Sequence, residues 1–521
     1  MKKYLYLLLC LTVLLFAQCA NEKKQDPTDD TALETDELGT IKIDVTGTAE
    51  AKEHFMDGLL LLHSFEYADA EAQFKKAQAL DSTFVMAYWG EAMTKNHPLW
   101  RHQDTEEAQA ILQKLAPDKT ARIAMAQTAL EKDLLQGAEI LFGDGDKDDR
   151  DLLYRDHMET LQQKYPDNHE VSALYALSLL GTVKDGRDYE VYGKAATIAQ
   201  GIISENNNHP GALHYLIHAY DDPQHAAKAL QAANSYSRVA PDAGHALHMP
   251  SHIYVALGMW DEVIRSNIAS YDASVERMKR KELDNDARGY HAFKWLMYAK
   301  LQKEQYDEAL TQVKMMKQYC TEMPSPRARS HYAQMRALYL NESGRWDDPI
   351  ATDTIDVSDL IVVLKAVDAF TQGNLHYHKK DKEALATTIT QLEMEIKNAE
   401  TDVLVKGGKM CSGVSYYNQL PNQQDIDRSK VILHQLKAMK ALLANQEQKA
   451  IAEMQRAVDM EEKGSFMFGP PEVIRPSPEF YGNYLMEKGK TAEAKAMFEK
   501  AIERAPNRLI PTQALKSLTD I

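Results

Sequence analysis

Two stretches of the 521-residue chain carry histidines at a spacing suited to ligand or metal capture, "HPGALHYLIH" at 209–218 and "HALHMPSH" at 245–252. Each holds a pair four residues apart, His214/His218 and His248/His252, and 34 residues separate the equivalent members. Side chains at i and i+4 of a helix lie one above the other. Each pair can therefore offer two imidazoles to one centre, and neutral imidazole suits Zn, Cu, Ni or Fe. Asp221 and Asp222, just beyond the first pair, can add a carboxylate ligand or orient a ring. Eight of the 18 histidines fall between 209 and 291.

The elements that position these residues show in a recurring pattern. Gly58, Ala70, Phe74 and Ala77 in "GLLLLHSFEYADAEAQFKKAQALD" match Gly482, Ala494, Phe498 and Ala501 in "GNYLMEKGKTAEAKAMFEKAIERAP". The inner turn returns as "GMWDEV" (258–263), "EQYDEA" (304–309), "GRWDDP" (344–349) and "NQEQKA" (445–450). This pattern resembles the tetratricopeptide repeat, a 34-residue helix-turn-helix unit. The resemblance implies an all-α chain, an α-solenoid (superhelix) whose A helices line a concave groove. It is strong at both ends and over 210–350, and degenerate at about 100–205 and 350–440.

In that register Pro210 and Gly244 open two successive repeats, and Pro210 suits a helix start. His214 and His248 then occupy position 5, His218 and His252 position 9, and His245 position 2. His291 and His331 stand at position 2 of the next two repeats, and His63 and His97 at position 13 of early ones. The resemblance implies that positions 2, 5, 9, 12 and 13 face the groove, so the 34-residue echo is one repeat's interval. Helical spacing agrees independently: Leu213, Leu216, Ile217 and Tyr220 form an apolar stripe with His214, His218 and Asp221 beside it. Pro250, between His248 and His252, removes a backbone bond and frees the Ala246 carbonyl, a local rule broken where function is suspected.

The groove candidates are His63, His97, His214, His218, Asp221, Asp222, His245, His248, His252, His291, Lys294 and Tyr298, with Arg475. Three uses are open to them. The leading one is a scaffold whose histidine-lined groove binds a peptide, a protein or a small ligand. The alternative is a metal-binding protein or metal-dependent enzyme, with His214, His218, His248 and His252 around a shared centre. The third is purely structural hydrogen bonding.

The leader sets a location. "MKKYLYLLLCLTVLLFAQC" has a basic start and an apolar run, too short for a membrane span, which reads as a signal peptide over 1–19. Cys19 resembles the lipidated cysteine of bacterial lipoproteins, although Phe16 and Gln18 depart from that motif. Residues 20–48 read as a disordered tether and 49–521 as the solenoid. These features imply a lipid-anchored protein of the bacterial cell envelope, facing periplasm or surface. "NHPLW", "HALHMPSHIYVALGMWDE" and "GPPEVIRPSPE" add a resemblance to a histidine-rich group of bacterial tetratricopeptide lipoproteins, which implies no activity.

Composition excludes other classes. The net charge of −17 opposes nucleic-acid binding. Cys320 and Cys411 are the cysteines of the expected folded part, and without a CxxC motif a thiolate zinc site is not indicated. "GDGDKDDRD" at 143–151 fails as a calcium loop, since Asp149 stands where glycine is needed.

Overall fold

The computed structural model describes residues 38–184, 186–406, 421–464 and 469–519. The leader, Cys19, residues 20–37 of the expected tether, and Cys411 lie outside the described residues. The described chain is an α-solenoid of tetratricopeptide-like helix pairs, helix packing on sequence-adjacent helix. Its strand content among the described residues is a two-residue pairing of Asn96–His97 with His102–Gln103.

Close helix approach explains the repeat's small residues. Phe74 is fully buried between Gly58 and Gly90, where an added Cβ would lie 2.7 and 2.4 Å from its ring. Gly482 bears the same relation to Phe498, at 2.9 Å. A side chain at these positions would drive the paired helices apart and open the apolar seam that stabilises them.

The inner turns hold one residue in the left-handed region, two positions before the second helix begins. It is Gly258 or Gly489 in two repeats, but Phe65, Glu304, Lys380 and Asn445 take φ of 57–60° in others. Glycine is therefore not required there: the packed helices on either side hold non-glycine residues in a conformation costing about 1 kcal/mol or more. Lys380 marks such a turn within 350–440, between Val362–His378 and Lys382–Lys406. Helix pairing likewise persists through 100–205, with Ala129–Leu141 followed by Lys147–Lys164 and His169–Gly181 by Tyr189–Glu205.

Seven helices frame the histidine face: α1 (Ala49–His63), α2 (Pro210–Tyr220), α3 (Gly244–His248), α4 (Pro250–Ala256), α5 (Trp260–Arg280), α6 (Tyr290–Gln302) and α7 (Pro326–Ser343). Pro250 divides the expected single helix into α3 and α4, yet Met249 keeps helical dihedrals (φ −53°, ψ −37°). His248 and His252 thus stay on one side across the interruption.

Both ends of the solenoid return to its middle. Asp69 accepts from Arg277 Nε (2.9 Å), Arg277 Nη2 (2.7 Å) and Lys281 Nζ (2.6 Å), and Tyr236 donates to Ser64 Oγ at 3.1 Å. At the other end Trp260 Nε1 donates to the Asn507 carbonyl (3.1 Å) and Arg508 Nη1 to the Tyr298 hydroxyl (2.6 Å). These contacts pack both ends of the described solenoid against its middle. Residues 38–46, read from sequence as tether, make contacts with the body. Leu38 is fully buried, and Thr46 donates from both its backbone N–H and its hydroxyl to Glu131 at 2.6 Å. The segment's few apolar and hydroxyl groups find partners on the body, which composition alone does not reveal.

Candidate functional site: two histidine triads

The six histidines sort into two sets of three, built by one rule. His214 and His218 of α2 meet His245 of α3, and His248 of α3 and His252 of α4 meet His291 of α6. Within each set one ligand atom per residue lies within 4.8 Å of the others. Each triad thus takes positions 5 and 9 of one repeat and position 2 of the next. His214, His248 and His252 are buried, His218 and His245 half-buried, and His291 exposed.

The outer ring nitrogens fix the tautomers. His248 Nδ1 lies 2.7 Å from Asn267 Oδ1, and the Asn267 amide donates its Nδ2–H to the Val263 carbonyl at 2.8 Å. That second bond sets the amide so that only oxygen faces the ring, and His248 must donate from Nδ1. Ser251 Oγ stands 3.3 Å from the same nitrogen. His252 donates from Nδ1 to Asp221 Oδ2 at 3.0 Å. In their neutral forms both rings therefore carry unprotonated Nε2 atoms, and these two atoms face each other at 3.2 Å. Two lone pairs at that distance repel unless a cation lies between them. Ligand nitrogens at about 2.0–2.1 Å from a tetrahedral metal stand about 3.3–3.4 Å apart. A proton is a poor substitute, because burial, reinforced by His252, pushes His248 down to about 3.

The first triad has similar outer support. His214 donates from Nδ1 to the carbonyl of His63 (2.7 Å), the last residue of α1, and its Nε2 lies 3.2 Å from His245 Nε2. Burial holds His214 and His245 well below the ordinary histidine range. Phe65 packs 4.2 Å from the His214 ring and Trp100 5.9 Å from His245. Around the second triad, Trp295 stacks on His252 at 4.7 Å and meets His248 edge-on at 4.8 Å.

Asp221 joins the two triads from behind. Its Oδ2 lies 3.0 Å from His252 Nδ1 and 3.5 Å from His218 Nδ1, and its Oδ1 accepts from Arg187. Burial pushes this carboxyl up, but Arg187 and the two imidazoles more than reverse that and hold it far below the usual carboxylate range. Asp221 is thus an ionised group that orients the His252 ring and stands beside His218. Asp222 serves the turn, accepting from the backbone N–H groups of Gln224 (3.0 Å) and His225 (3.1 Å) and facing His225 Nδ1 at 2.9 Å.

The remaining sequence candidates separate from the triads. His63 is buried, with Nε2 on Glu170 (2.7 Å) and Nδ1 on the Tyr215 hydroxyl (2.8 Å), and His209 completes the group 3.0 Å from Glu170. Glu170, His63 and His209 also lie close enough to hold an ion, with both His63 nitrogens and His209 Nδ1 already hydrogen-bonded. His97 stacks on Tyr67 at 3.7 Å with its Nε2 on the Thr94 carbonyl (3.1 Å). Tyr298 is buried with its hydroxyl on Arg508, so it lines no open groove. Lys294 stands one turn beyond His291. The four histidines expected around one centre fall instead in two groups of three, completed by His245 and His291. Asn267, Arg187 and Trp295 had no local sequence signal, since each reaches the triads from a different helix or loop.

Fold and site together define a tetratricopeptide-like α-solenoid that carries two histidine triads. No protein-family model matches the chain, and no curated protein matches it. Among solved structures it is similar to the APC/C hetero-tetramer Cut9-Hcn1, at 10% identity and TM-score 0.37, covering 91% of this chain and 77% of that one. It is also similar to the human IFIT1 dimer with m7Gppp-AAAA (12%, TM-score 0.35, covering 92% and 96%). Yeast Tom70 shows the same degree of likeness (12%, TM-score 0.33, covering 90% and 95%). Likeness at this level carries no argument about ligand or activity.

Proposed function

We propose that this chain is a metal-binding α-solenoid that takes one transition-metal ion in each histidine triad. The observation that carries the reading is the opposition of the His248 and His252 Nε2 lone pairs at 3.2 Å, each ring tautomer being set by its own Nδ1 acceptor. Donor chemistry narrows the metal. Six imidazole nitrogens, with the nearby carboxylate engaged on ring N–H groups, favour Zn or Cu over Mg, Ca or Mn. Three protein ligands leave a position for water or substrate, the arrangement of catalytic rather than structural zinc sites.

The test uses the full chain. Supplemented with zinc or copper and freed of excess, it is expected to hold about two equivalents by elemental analysis, falling to about one in His252→Ala. Less than about a tenth of an equivalent after supplementation would overturn the reading. In this reading a peptide, protein or small-molecule partner reaches the same inner face through the exposed edge at His291, on the solenoid acting as scaffold. The leader's residues support placing the chain in the bacterial envelope through a lipid on Cys19. Cys19→Ser is expected to release it from membranes, and a variant that stays there refutes the anchor.

A further inference from the structure

The rule that builds the two triads has a third term. With His291 and His331 at position 2 of successive repeats, Lys294 and Tyr298 fall at positions 5 and 9, where the first two repeats carry ligating histidines. The third rung is therefore Lys294, Tyr298 and His331. It has exchanged two imidazoles for an ammonium and a phenol, and the phenol is drawn away to Arg508 at 2.6 Å. What faces the second triad from this rung is cationic.

Lys294 is half-buried, and its ammonium donates to Gln334 Oε1 at 2.7 Å. Among the described residues no carboxylate lies within ion-pair distance of it. The acidic group whose charge reaches it, Glu472, is paired with Arg428 at 2.6 Å. The histidines around it, His248, His291 and His331, feel its positive charge as repulsion. Arg475 repeats the arrangement on Asn341, which lies two turns beyond Gln334 on α7. Its Nε donates to Asn341 Oδ1 at 2.8 Å, with Phe370 and Phe480 beside it and no carboxylate in ion-pair contact among the described residues. Cations held on amides are unusual in a chain of net charge −17, where acids outnumber bases. A half-buried ammonium without a counter-ion is costly unless an anion joins it. Two divalent ions on six neutral rings would add positive charge that Asp221, already matched by Arg187, does not cancel.

We propose that Lys294 is the anchor of an anion-binding subsite beside the His248–His252–His291 triad, taking a ligand that carries a carboxylate or a phosphate group. Its second role, presenting that ligand to the open coordination position of the metal, rests on the metal reading above. The subsite itself rests on the ammonium and its surroundings.

The experiment titrates the full chain calorimetrically with inorganic phosphate and, separately, with acetate. Each titration uses zinc-loaded and chelator-stripped protein, with Lys294→Gln and Lys294→Arg alongside and the zinc content of every sample measured. Wild type is expected to bind at least one of the two anions saturably in both forms, more tightly with zinc. Lys294→Gln is expected to lose about tenfold or more in affinity at unchanged zinc content and with a melting temperature no lower than wild type, and Lys294→Arg to keep most of it. The anion that responds identifies the ligand's charged group. Saturable binding that Lys294→Gln leaves unaltered, or no saturable binding of either anion, overturns the subsite. Absence of zinc sinks the metal reading alone, because the stripped protein still decides the anion question.

Discussion

His248 and His252 turn their Nε2 atoms toward each other at 3.2 Å, while Asn267 and Asp221 hold their Nδ1 atoms from outside. The relationship spans a proline, and it depends on α3 and α4 remaining nearly coaxial through Met249. Its consequences reach both triads.

Asp221 touches a ring in each set, so its removal should be felt twice. Asp221→Asn is expected to weaken metal binding at both triads by about 10–100-fold, whereas Asn267→Leu should weaken only the second. Competition against a chelator of known affinity resolves the two sites. Equal effects from the two substitutions would contradict the assignment of Asp221 as the shared support.

Acid should destabilise the metal-free protein through its buried imidazoles. Burial holds His214, His245, His248 and His252 below the unfolded value of 6.5. For a group depressed in the folded state, stability is complete above the unfolded pKa and is lost as pH falls toward the folded one. Each such ring costs up to about 1.4 kcal/mol per pH unit below that value. The stripped chain should therefore melt at a markedly lower temperature at pH 5 than at pH 7, and a flat profile across that interval would count against neutral buried rings.

Arg508 closes the C-terminal end on the middle of the solenoid. It is 1% exposed, bonded to Tyr298 (2.6 Å), Glu342 (2.6 Å) and Glu479. Burial pushes Glu479 up to about 7 even with this partner. Arg508→Ala would leave two buried carboxylates facing each other, and a loss of about 3–5 kcal/mol in denaturant unfolding is expected. Adding Glu342→Gln should recover part of it. A loss below about 1 kcal/mol would mean that this closure is not structural.

Two turn glycines separate strain from crowding. Gly489 has φ +70° and open space, so Gly489→Ala should cost about 1 kcal/mol. Gly258 has φ +66°, and its added Cβ would lie 2.4 Å from Asn507 Cβ and 2.6 Å from the Pro506 carbonyl. Gly258→Ala should cost distinctly more, and thermal melts of the pair decide it.

Much of the fold is legible in the chain because repeats write packing into spacing. Gly58 and Phe74 must approach closely, so residue size at fixed offsets announces helix pairs from the sequence alone. Where another residue occupies the turn and the flanking pattern is lost, as at Lys380, the signal weakens although the conformation persists, since flanking helices impose it. That is why 350–440 reads as degenerate.

The histidine positions are equally determined by sequence. One repeat's interval places His214 with His248 and His218 with His252, because equivalent positions on stacked helices face the same way. Only the tertiary structure decides how they group. The partition into triads depends on where His245 and His291 arrive from the next repeat. Their tautomers depend on Asn267, on Asp221 and on the His63 carbonyl, the last 151 residues from His214. Helical periodicity fixes which face a side chain is on, but hydrogen-bond partners are chosen by the superhelical turn that returns the first helix pair to the middle of the chain.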